Sequence, residues 1–405
     1  MNRFWDLIGF EYKKILRKRS VQITLLLAVF FTAFSVVSTI LGSCYVDGKP
    51  YESNYDAMIK ERAYARTLSG RLLDGALIKE TINAYVQIPE SDVYQATQEY
   101  QTFARPYSSV YNIVRGVFNT SSKRFNMEDF QMLNDTQADG FYTVRREKLE
   151  ESILQTQMSD KAKDQILALD EQLTVPFLFS YTDNYRQLFA LVNTLGLTAA
   201  FVMAVCVAPL FSGEYSAGTD QLILSSKRGK NSLIAAKLFT GFSLAAIICF
   251  VLFALTFCMT MAIFGTEGGN SPLQLYLMLS PYPLTMGQTT LLLAVSIFFA
   301  CMMTAAITML LSAKLKSPFG VIVLVSVLLI APMLGSVSDK NILLYHLYHL
   351  FPTQMTSLAS IMDVNQYEFF GLVLRPYVFM PLFALVVTVL LTPFAYRSFK
   401  NHQIG

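Results

Sequence analysis

Residues that could carry catalysis are sparse in this 405-residue sequence. A phosphate-binding loop needs the pattern GxxxxGK[ST], whose glycines let backbone amides approach the phosphates, and no segment contains it. The nearest candidate, GTDQLILSSKRGK, has wrongly spaced glycines, and Asn231 follows Lys230 where Ser or Thr is required. HExxH, CxxC and GxSxG are absent too. We therefore expect no enzymatic activity, no catalytic residues, and no cofactor or metal held by this chain.

Two of the three histidines, His346 and His349, lie three residues apart and would share a helical face. Such a pair can begin a metal site. No carboxylate or thiol is near in sequence to complete it, and Tyr345 and Tyr348 alternate with the histidines. Aromatic residues of this kind gather at membrane surfaces, so we interpret the segment as interfacial.

The composition directs attention from chemistry to the membrane. Hydrophobic residues make up 53% of the chain and charged residues 15%, against roughly 25% charged in soluble domains. A purely soluble protein is therefore excluded. The net charge of +3 is too small for a nucleic-acid-binding protein. The five cysteines lie in or beside apolar runs, which indicates packed thiols and no disulfide framework.

Six uncharged runs are long enough to cross a hydrocarbon core, which needs about 20 apolar residues of helix. They lie between Arg19 and Asp47, Arg186 and Glu214, Lys237 and Glu267, from about Thr289 to Ala313, between Lys316 and Asp339, and between Arg375 and Arg397. The first is too long for a signal peptide, so we expect it to stay attached. The fold class predicted is an all-α polytopic membrane protein with six transmembrane helices.

Basic residues predict the orientation of these spans. With both termini in the cytoplasm, the inner segments contain 14 Lys and Arg, whereas the two short outer loops contain only Lys340 and Arg375. Short cytoplasmic loops are enriched in Lys and Arg, so we predict cytoplasmic N- and C-termini. Residues 47–186 then form a large extracytoplasmic domain with a net charge of −5 between the first two helices.

Helix signals dominate this extracytoplasmic segment. Ser53 and Asp56 form a capping-box pattern before a helix that stops at Gly70, and a second helix is expected from Ser91 to Pro106. Residues 141–158 and 160–173 predict two more amphipathic helices. Val110, Ile113, Val114, Val117 and Phe118 fit a buried helical face. A helical domain without internal disulfides is expected.

The first 19 residues predict an amphipathic helix at the inner membrane surface. Its apolar side is formed by Phe4, Trp5, Ile8, Tyr12 and Ile15, and basic residues surround it. Trp5, Lys13, Lys14 and Arg17 would anchor the helix to anionic membrane lipid. The alternative is a plain cytoplasmic extension whose basic residues only set the topology.

The segment after the second span contains the most specific sequence pattern in the chain. It reads PLFSGEYSAGTDQLILSSKRGKNSLIAAKL and resembles the permease subunits of ABC transporters of the type-2 exporter class. The matching residues are Phe211, Glu214, Gly218, Thr219, Leu222, Leu224, Arg228 and Lys237. The amphipathic N-terminal helix, the short loop LLSAKLKSPFG and the Pro352 segment before the last span agree with that class.

The resemblance implies a pore-forming subunit of an exporter, located in a cell membrane and bacterial in origin. Its partners would be a second permease chain, the same or different, and two copies of an ABC ATPase that bind ATP and magnesium. The first seven of the matching residues, up to Arg228, would couple the chain to that ATPase, within an inner loop at 212–232 and on one amphipathic helix from Glu214 to Ser225. The alternative is a loop that only sets topology.

Three function classes follow from the sequence. An exporter permease would carry a hydrophobic or amphipathic substrate such as a drug, a lipid-like molecule or an antimicrobial peptide. The spans lack ionisable residues well inside their apolar runs, which argues against an ion-coupled carrier. A membrane-anchored sensor or assembly protein with an outer interaction domain is the second class. An integral-membrane enzyme is the third, but no clustered polar groups favour it.

Overall fold

The computed structural model describes residues 2–46, 49–89, 93–119, 124–226 and 229–402, and these are mostly helical. The helices up to the second span are α1 Asn2–Leu16, α2 Arg19–Ser38, α3 Asn54–Leu68, α4 Gly75–Val86, α5 Ser108–Phe118, α6 Met127–Gln131, α7 Asp135–Asp139, α8 Phe141–Leu154, α9 Asp160–Asp170 and α10 Asp183–Val207. The remaining helices are α11 Ser212–Ser216, α12 Asp220–Ser225, α13 Ile234–Phe264, α14 Met286–Lys314, α15 Pro318–Ile330, α16 Ile342–His349, α17 Leu358–Ile361 and α18 Pro376–Lys400.

Four short strands interrupt the helical pattern. β1 (Ser43–Val46) pairs with β2 (Lys49–Ser53), and β3 (Tyr367–Phe369) pairs with β4 (Leu372–Leu374), each pair antiparallel. The all-α prediction is therefore correct for the bulk of the chain but misses these hairpins. Such short two-stranded ribbons carry too few residues for an alternating pattern to stand out in the sequence.

Five of the described helices are long and apolar enough to cross a membrane. They are α2, α10 with its 3-10 extension to Leu210, the helix ending at Phe264 whose span begins at Asn231, α14 and α18. The fifth predicted span is shorter. α15 has 13 residues and continues only as a 3-10 turn to Met333, because Pro332 removes a backbone donor there. The structure thus supports a polytopic helical membrane protein, with five full-length spans among the described residues.

Three charged residues that the sequence analysis placed just outside the spans lie inside the observed helices. Asp183 and Arg186 lie in the first turn of α10, and Lys237 lies in the first turn of α13. Lys237 is completely buried there. The sequence-based limits placed these residues just outside the spans, because a window of uncharged residues ends at a charge whether or not the helix does.

The chain divides into two compact units. The first comprises Met1–Phe34, Leu191–Phe257 and Leu292–Gly405. In its interior Ala200, Ala204 and Ala208 form a stripe along α10 and its 3-10 extension, and this stripe packs on Val321, Val325 and Leu329 of α15. Small residues at this spacing let membrane helices approach closely. Gly241 serves the same purpose in α13, since a Cβ there would lie 2.5 Å from the Met309 sulfur of α14.

The second unit comprises Ser35–Ala190 and Cys258–Leu291. Ser53 caps α3 as expected, with its hydroxyl accepting a hydrogen bond from the Asp56 amide, and α8 and α9 match the predicted helices. The predicted face of α5 is buried at Val110, Ile113, Val114 and Val117, and Phe118 is half-buried. The helix expected after Ser91 is present only as irregular helical turns. Its described part has a 3-10 turn at Tyr94–Ala96 and a π turn at Tyr100–Ala104, and residues 90–92 are not among those described.

Buried arginines hold the second unit together. Arg145 of α8 forms a two-pronged ion pair with Asp170 of α9 at 2.7 and 3.1 Å, and it also donates to the backbone oxygens of Met278 and Ser280. Arg105 contacts Glu52, Glu61 and Gln101 at 2.6–2.9 Å. All five cysteines of the chain are free, so these polar contacts act without covalent support.

The two histidines of α16 have separate partners. His346 stacks on Tyr367 with ring centroids 4.2 Å apart, while the Nδ1 of His349 lies 2.8 Å from the Tyr345 backbone oxygen. Burial, together with the neighbouring His349, lowers the pKa of His346 to about 4. Within the described residues no three metal-binding side chains gather.

Candidate coupling site

The segment that follows α10 consists of two short helices joined by a turn. α11 ends at Ser216, and α12 begins at Asp220. Between them Gly218 has a φ of +66°, which favours glycine because a side chain would clash with the backbone there. The single helix expected from Glu214 to Ser225 is therefore wrong. Its amphipathic pattern is real, but the positive φ of Gly218 interrupts the helix after one turn.

Thr219 closes this turn. Its hydroxyl donates to the Glu214 carboxylate, and its backbone amide donates to the Glu214 backbone oxygen at 3.0 Å. Glu214, Gly218 and Thr219 thus act together: the glycine permits the turn and the threonine ties it to the acid. The spacing Glu-x-x-x-Gly-Thr has a local structural reason.

A buried charge network lies on this turn. The Lys237 ammonium donates to Glu11 at 2.8 Å and to Glu214 at 2.6 Å, and Lys14 also pairs with Glu214. Glu11, Glu214 and Lys237 are all at least 98% buried. Two acids and two bases balance in charge, as a buried ionic cluster requires. The network links α1, α11 and α13 within the first unit.

The electrostatics of Glu214 show how strongly the network holds its charge. Burial alone would raise the pKa of this carboxyl. The Lys237 charge and the hydrogen bonds from Lys14, Lys237 and Thr219 outweigh burial and lower the pKa to about 2. Nearby Lys18 has a lowered pKa, because it is half-buried and faces Lys14. Glu214 is therefore ionised at neutral pH.

α1 contacts α13 along its other residues too. The Tyr12 hydroxyl donates to Ser243 at 2.7 Å, and the Trp5 ring meets Phe239 edge-on at 5.8 Å. Ile8 and Ile15 are buried on the same side as Glu11. Of the four predicted membrane anchors, Lys14 instead pairs with protein, Trp5 is half exposed beside Phe239, and Lys13 and Arg17 are exposed.

The ends of α14 and α18 fix the turn from the opposite side. The Ser312 hydroxyl accepts from the backbone amides of Phe211 and Ser212 at 3.1 and 3.0 Å, and Tyr215 donates to the Ala313 oxygen at 2.8 Å. Buried Phe211 packs on Phe399 with ring centroids 4.8 Å apart. The start of the segment therefore belongs rigidly to the helix bundle.

α12, in contrast to the start of the segment, is partly exposed. Leu224 is buried, whereas Leu222 is 73% exposed. An exposed leucine on a short, stiff helix that is fixed at its base is the kind of apolar contact another protein can use. The remaining predicted coupling residue, Arg228, lies outside the described residues.

Comparison with protein families gives a match over nearly the whole chain. Residues 18–392 match the model described as ABC-2 family transporter protein. The chain belongs to this ABC-2 transporter family. Comparison with curated proteins and with solved structures gave no significant match. Proteins of the ABC-2 permease family are membrane transport subunits and generally work with an ATPase partner.

The ABC-2 match and the charge network overlap only in part. The matched residues include Glu214 and Lys237 but begin after Glu11 and Lys14. Sequence reasoning named Glu214, Lys14 and Lys237 but missed Glu11. A signal was present: Glu11 lies three residues after Ile8 and four before Ile15, on the face expected to be apolar. An acid at such a position predicts a buried basic partner, but the sequence does not say which one.

Proposed function

We propose that this ABC-2 chain is the membrane-spanning permease subunit of an ATP-driven exporter, with α11 and α12 as the contact that receives force from a separate ATPase. It would pair with a second permease chain and with two ATPase copies that bind ATP and magnesium. Its termini and this contact would be cytoplasmic, residues 47–186 would be extracytoplasmic, and α15 would form a sixth, shorter span in a bacterial plasma membrane. The substrate would be hydrophobic or amphipathic.

The buried network of Glu11, Glu214 and Lys237 carries this proposal. A push on α12 reaches Glu214 through the Gly218 turn, and Glu214 is bonded to the first turn of α13 and to α1. Ser312 links the same segment to the end of α14. Transmission of force requires an exposed contact residue and a fixed attachment to the helix bundle. Exposed Leu222 provides the contact, and buried Glu214 provides the attachment.

The experiment changes Leu222, the exposed residue of α12, and leaves the buried network around Glu214 intact. The full chain is expressed with a candidate ABC ATPase from the same organism, and Leu222→Glu is compared with the unchanged protein. We expect normal membrane insertion, at least about tenfold weaker ATPase binding, and loss of efflux, because a charge would replace an apolar contact. Co-purification of the ATPase and substrate efflux are the measurements.

Leu334→Glu is the matched control. Leu334 is 83% exposed and lies after α15, at the end of the bundle where the proposed topology puts the outer membrane surface. This variant should keep both ATPase binding and efflux. Full activity of Leu222→Glu would remove α12 from the mechanism. Failure of any ATPase to co-purify with the unchanged chain would favour the sensor or assembly role instead.

Charge reversal at Glu214 is a less direct test than Leu222→Glu. A lysine there would join Lys14 and Lys237 around one buried point, so the variant would disturb folding as well as coupling. A proline at Leu222 is no sharper a test, because this residue lies in the first turn of α12, where a missing backbone donor is tolerated. Leu222→Glu separates the two effects because the side chain at this position faces outward.

A further inference from the structure

A cavity of about 390 Å³ lies in the second unit where three spans end. Its wall includes Thr39 just after α2, Asp183 at the start of α10, and Phe264 at the end of α13. Because spans end where the hydrocarbon ends, this cavity lies at the level of the lipid headgroups. Its volume is within the range of about 300–1,000 Å³ found for small-molecule sites.

Two opposite charges in the wall have no hydrogen bond to each other. The closest approach between the Arg186 guanidinium and the Asp183 carboxylate is 3.8 Å. Hydrogen bonds of this type are about 2.7–3.2 Å long, so each group keeps its capacity to bond a ligand. Arg186 suits a phosphate because its guanidinium offers several donors in a plane. Asp183 suits an ammonium that can donate hydrogen bonds.

The other carboxylate of the wall is already neutralised. Glu61 accepts a hydrogen bond from Arg105 at 2.9 Å and another from the Ser108 hydroxyl. Arg105 is buried and is not part of the cavity wall. Asp183 therefore remains the acid with bonding capacity, paired in space with a single base.

Uncharged polar side chains complete the wall. Ser109, Asn112 and Gln187 line the cavity, and within the part of the chain that the structure describes their side chains make no hydrogen bond. Met58 and Phe264 add an apolar portion. A ligand with a polar, zwitterionic head joined to an apolar stem would satisfy both portions.

We propose that this cavity binds the headgroup of an aminophospholipid, with the phosphate on Arg186 and the primary ammonium on Asp183. An anionic headgroup without an amine would leave Asp183 unpaired beside it. A quaternary ammonium carries charge but donates no hydrogen bond to the carboxylate. The inference is independent of the export function, because it concerns lipid retention by the second unit and no step of ATP coupling.

Lipid retention by the purified full chain tests this assignment. The protein is exchanged into micelles that contain equal amounts of dioleoyl phosphatidylethanolamine, phosphatidylglycerol and phosphatidylcholine, and adducts are counted by native mass spectrometry. We expect preferential retention of phosphatidylethanolamine. Soluble glycerophosphoethanolamine is added in a second arm. Displacement of the lipid at low concentration would show that the head alone is recognised, and retention would show that the acyl chains contribute.

Two charge variants distinguish the contacts. Asp183→Asn should lower phosphatidylethanolamine retention about tenfold and leave phosphatidylglycerol unchanged, whereas Arg186→Gln should lower both. Arg146→Gln is the matched control, since Arg146 is an exposed base of the same unit outside the cavity wall. It should retain lipid as the unchanged protein does.

A third variant covers the case in which Asp183→Asn does not fold, since Asp183 is the first residue of α10. Gln187→Leu keeps both charges and removes one polar wall group, and it should lower phosphatidylethanolamine retention severalfold with an unchanged melting temperature. Equal retention of the three lipids by the unchanged chain would overturn the proposal, since it would show annular lipid only. Unchanged retention by a folded Asp183→Asn or, if that variant does not fold, by Gln187→Leu would overturn it as well.

Discussion

Both compact units bury ionic groups, but with different basic side chains. In the second unit Arg145 uses its planar guanidinium to hold one acid and two backbone oxygens at once. In the first unit Lys237 is a point charge shared between Glu11 and Glu214, on two separate helices. An arginine fork fixes a single geometry, whereas an ammonium tolerates rotation about its stem. Arg145 thus fixes one geometry in the second unit, whereas in the first unit Glu214 is held by two bases and Glu11 is paired with Lys237 alone.

The strongest test of this contrast is Arg145→Met. It leaves Asp170 buried without a partner and two backbone oxygens without donors, so we expect the free energy of unfolding of the second unit to fall by about 3–5 kcal/mol. Hydrogen exchange of the α8 and α9 amides in the full chain measures this. Arg146→Met removes a neighbouring exposed arginine and should cost no more than about 1 kcal/mol. Equal effects of the two changes would contradict a special role for Arg145.

A smaller loss is expected for Lys237→Met. Glu11 loses its partner, but Glu214 keeps its ion pair with Lys14 and the hydrogen bond from Thr219, and no backbone oxygen loses a donor. The cost should therefore be that of hydrogen bonds to a charged group, about 1.5–3 kcal/mol. Faster exchange of the α1 amides, with α13 unchanged, would be the signature. Equally faster exchange of the α13 amides would show that Lys237 holds both helices, and not α1 alone.

A third effect concerns acid pH. The pKa of Glu214 is lowered from 4.5 to about 2, so its stabilising contribution is complete above pH 4.5 and is lost as the pH falls towards 2. The groups that face it are Lys14, Lys237, Lys18 and Glu11. We expect Glu214→Gln to flatten the fall of the melting temperature between pH 4.5 and pH 2. The same slope in both proteins would assign acid sensitivity to other carboxyls.

The sequence predicted the helices better than their ends and contacts. Long apolar runs and the Ser53 cap depend only on residues that are close in sequence, so α2, α14 and α3 were predictable. α15 was expected to span and proved short, because Pro332 acts on the backbone within a run that remains uncharged. The segment proposed for coupling was located by its motif, but its fold into two helices depends on a single positive φ at Gly218.

The partners of buried charges could not be predicted. Glu11 and Lys237 are separated by 226 residues, and Arg145 and the Met278 oxygen by 133. Only the tertiary fold brings such groups together, and one sequence contains no record of the pairing. The cavity at Asp183 and Arg186 has the same origin, since three span ends and α5 contribute to its wall.

The length of α15 has a consequence for the surrounding bilayer. With its 3-10 turn to Met333 this element is about 25 Å long, while an average hydrocarbon core is about 30 Å thick. Its close contact with the alanine stripe of α10 holds it in place, and its opposite side, with Val323, Leu324 and Val327, is exposed. If α15 crosses the membrane as proposed, thinning of the lipid beside that side would match it, at a cost of a fraction of a kcal/mol per Å of mismatch. The length of the lipid acyl chains would then set the free-energy cost of mismatch at this helix.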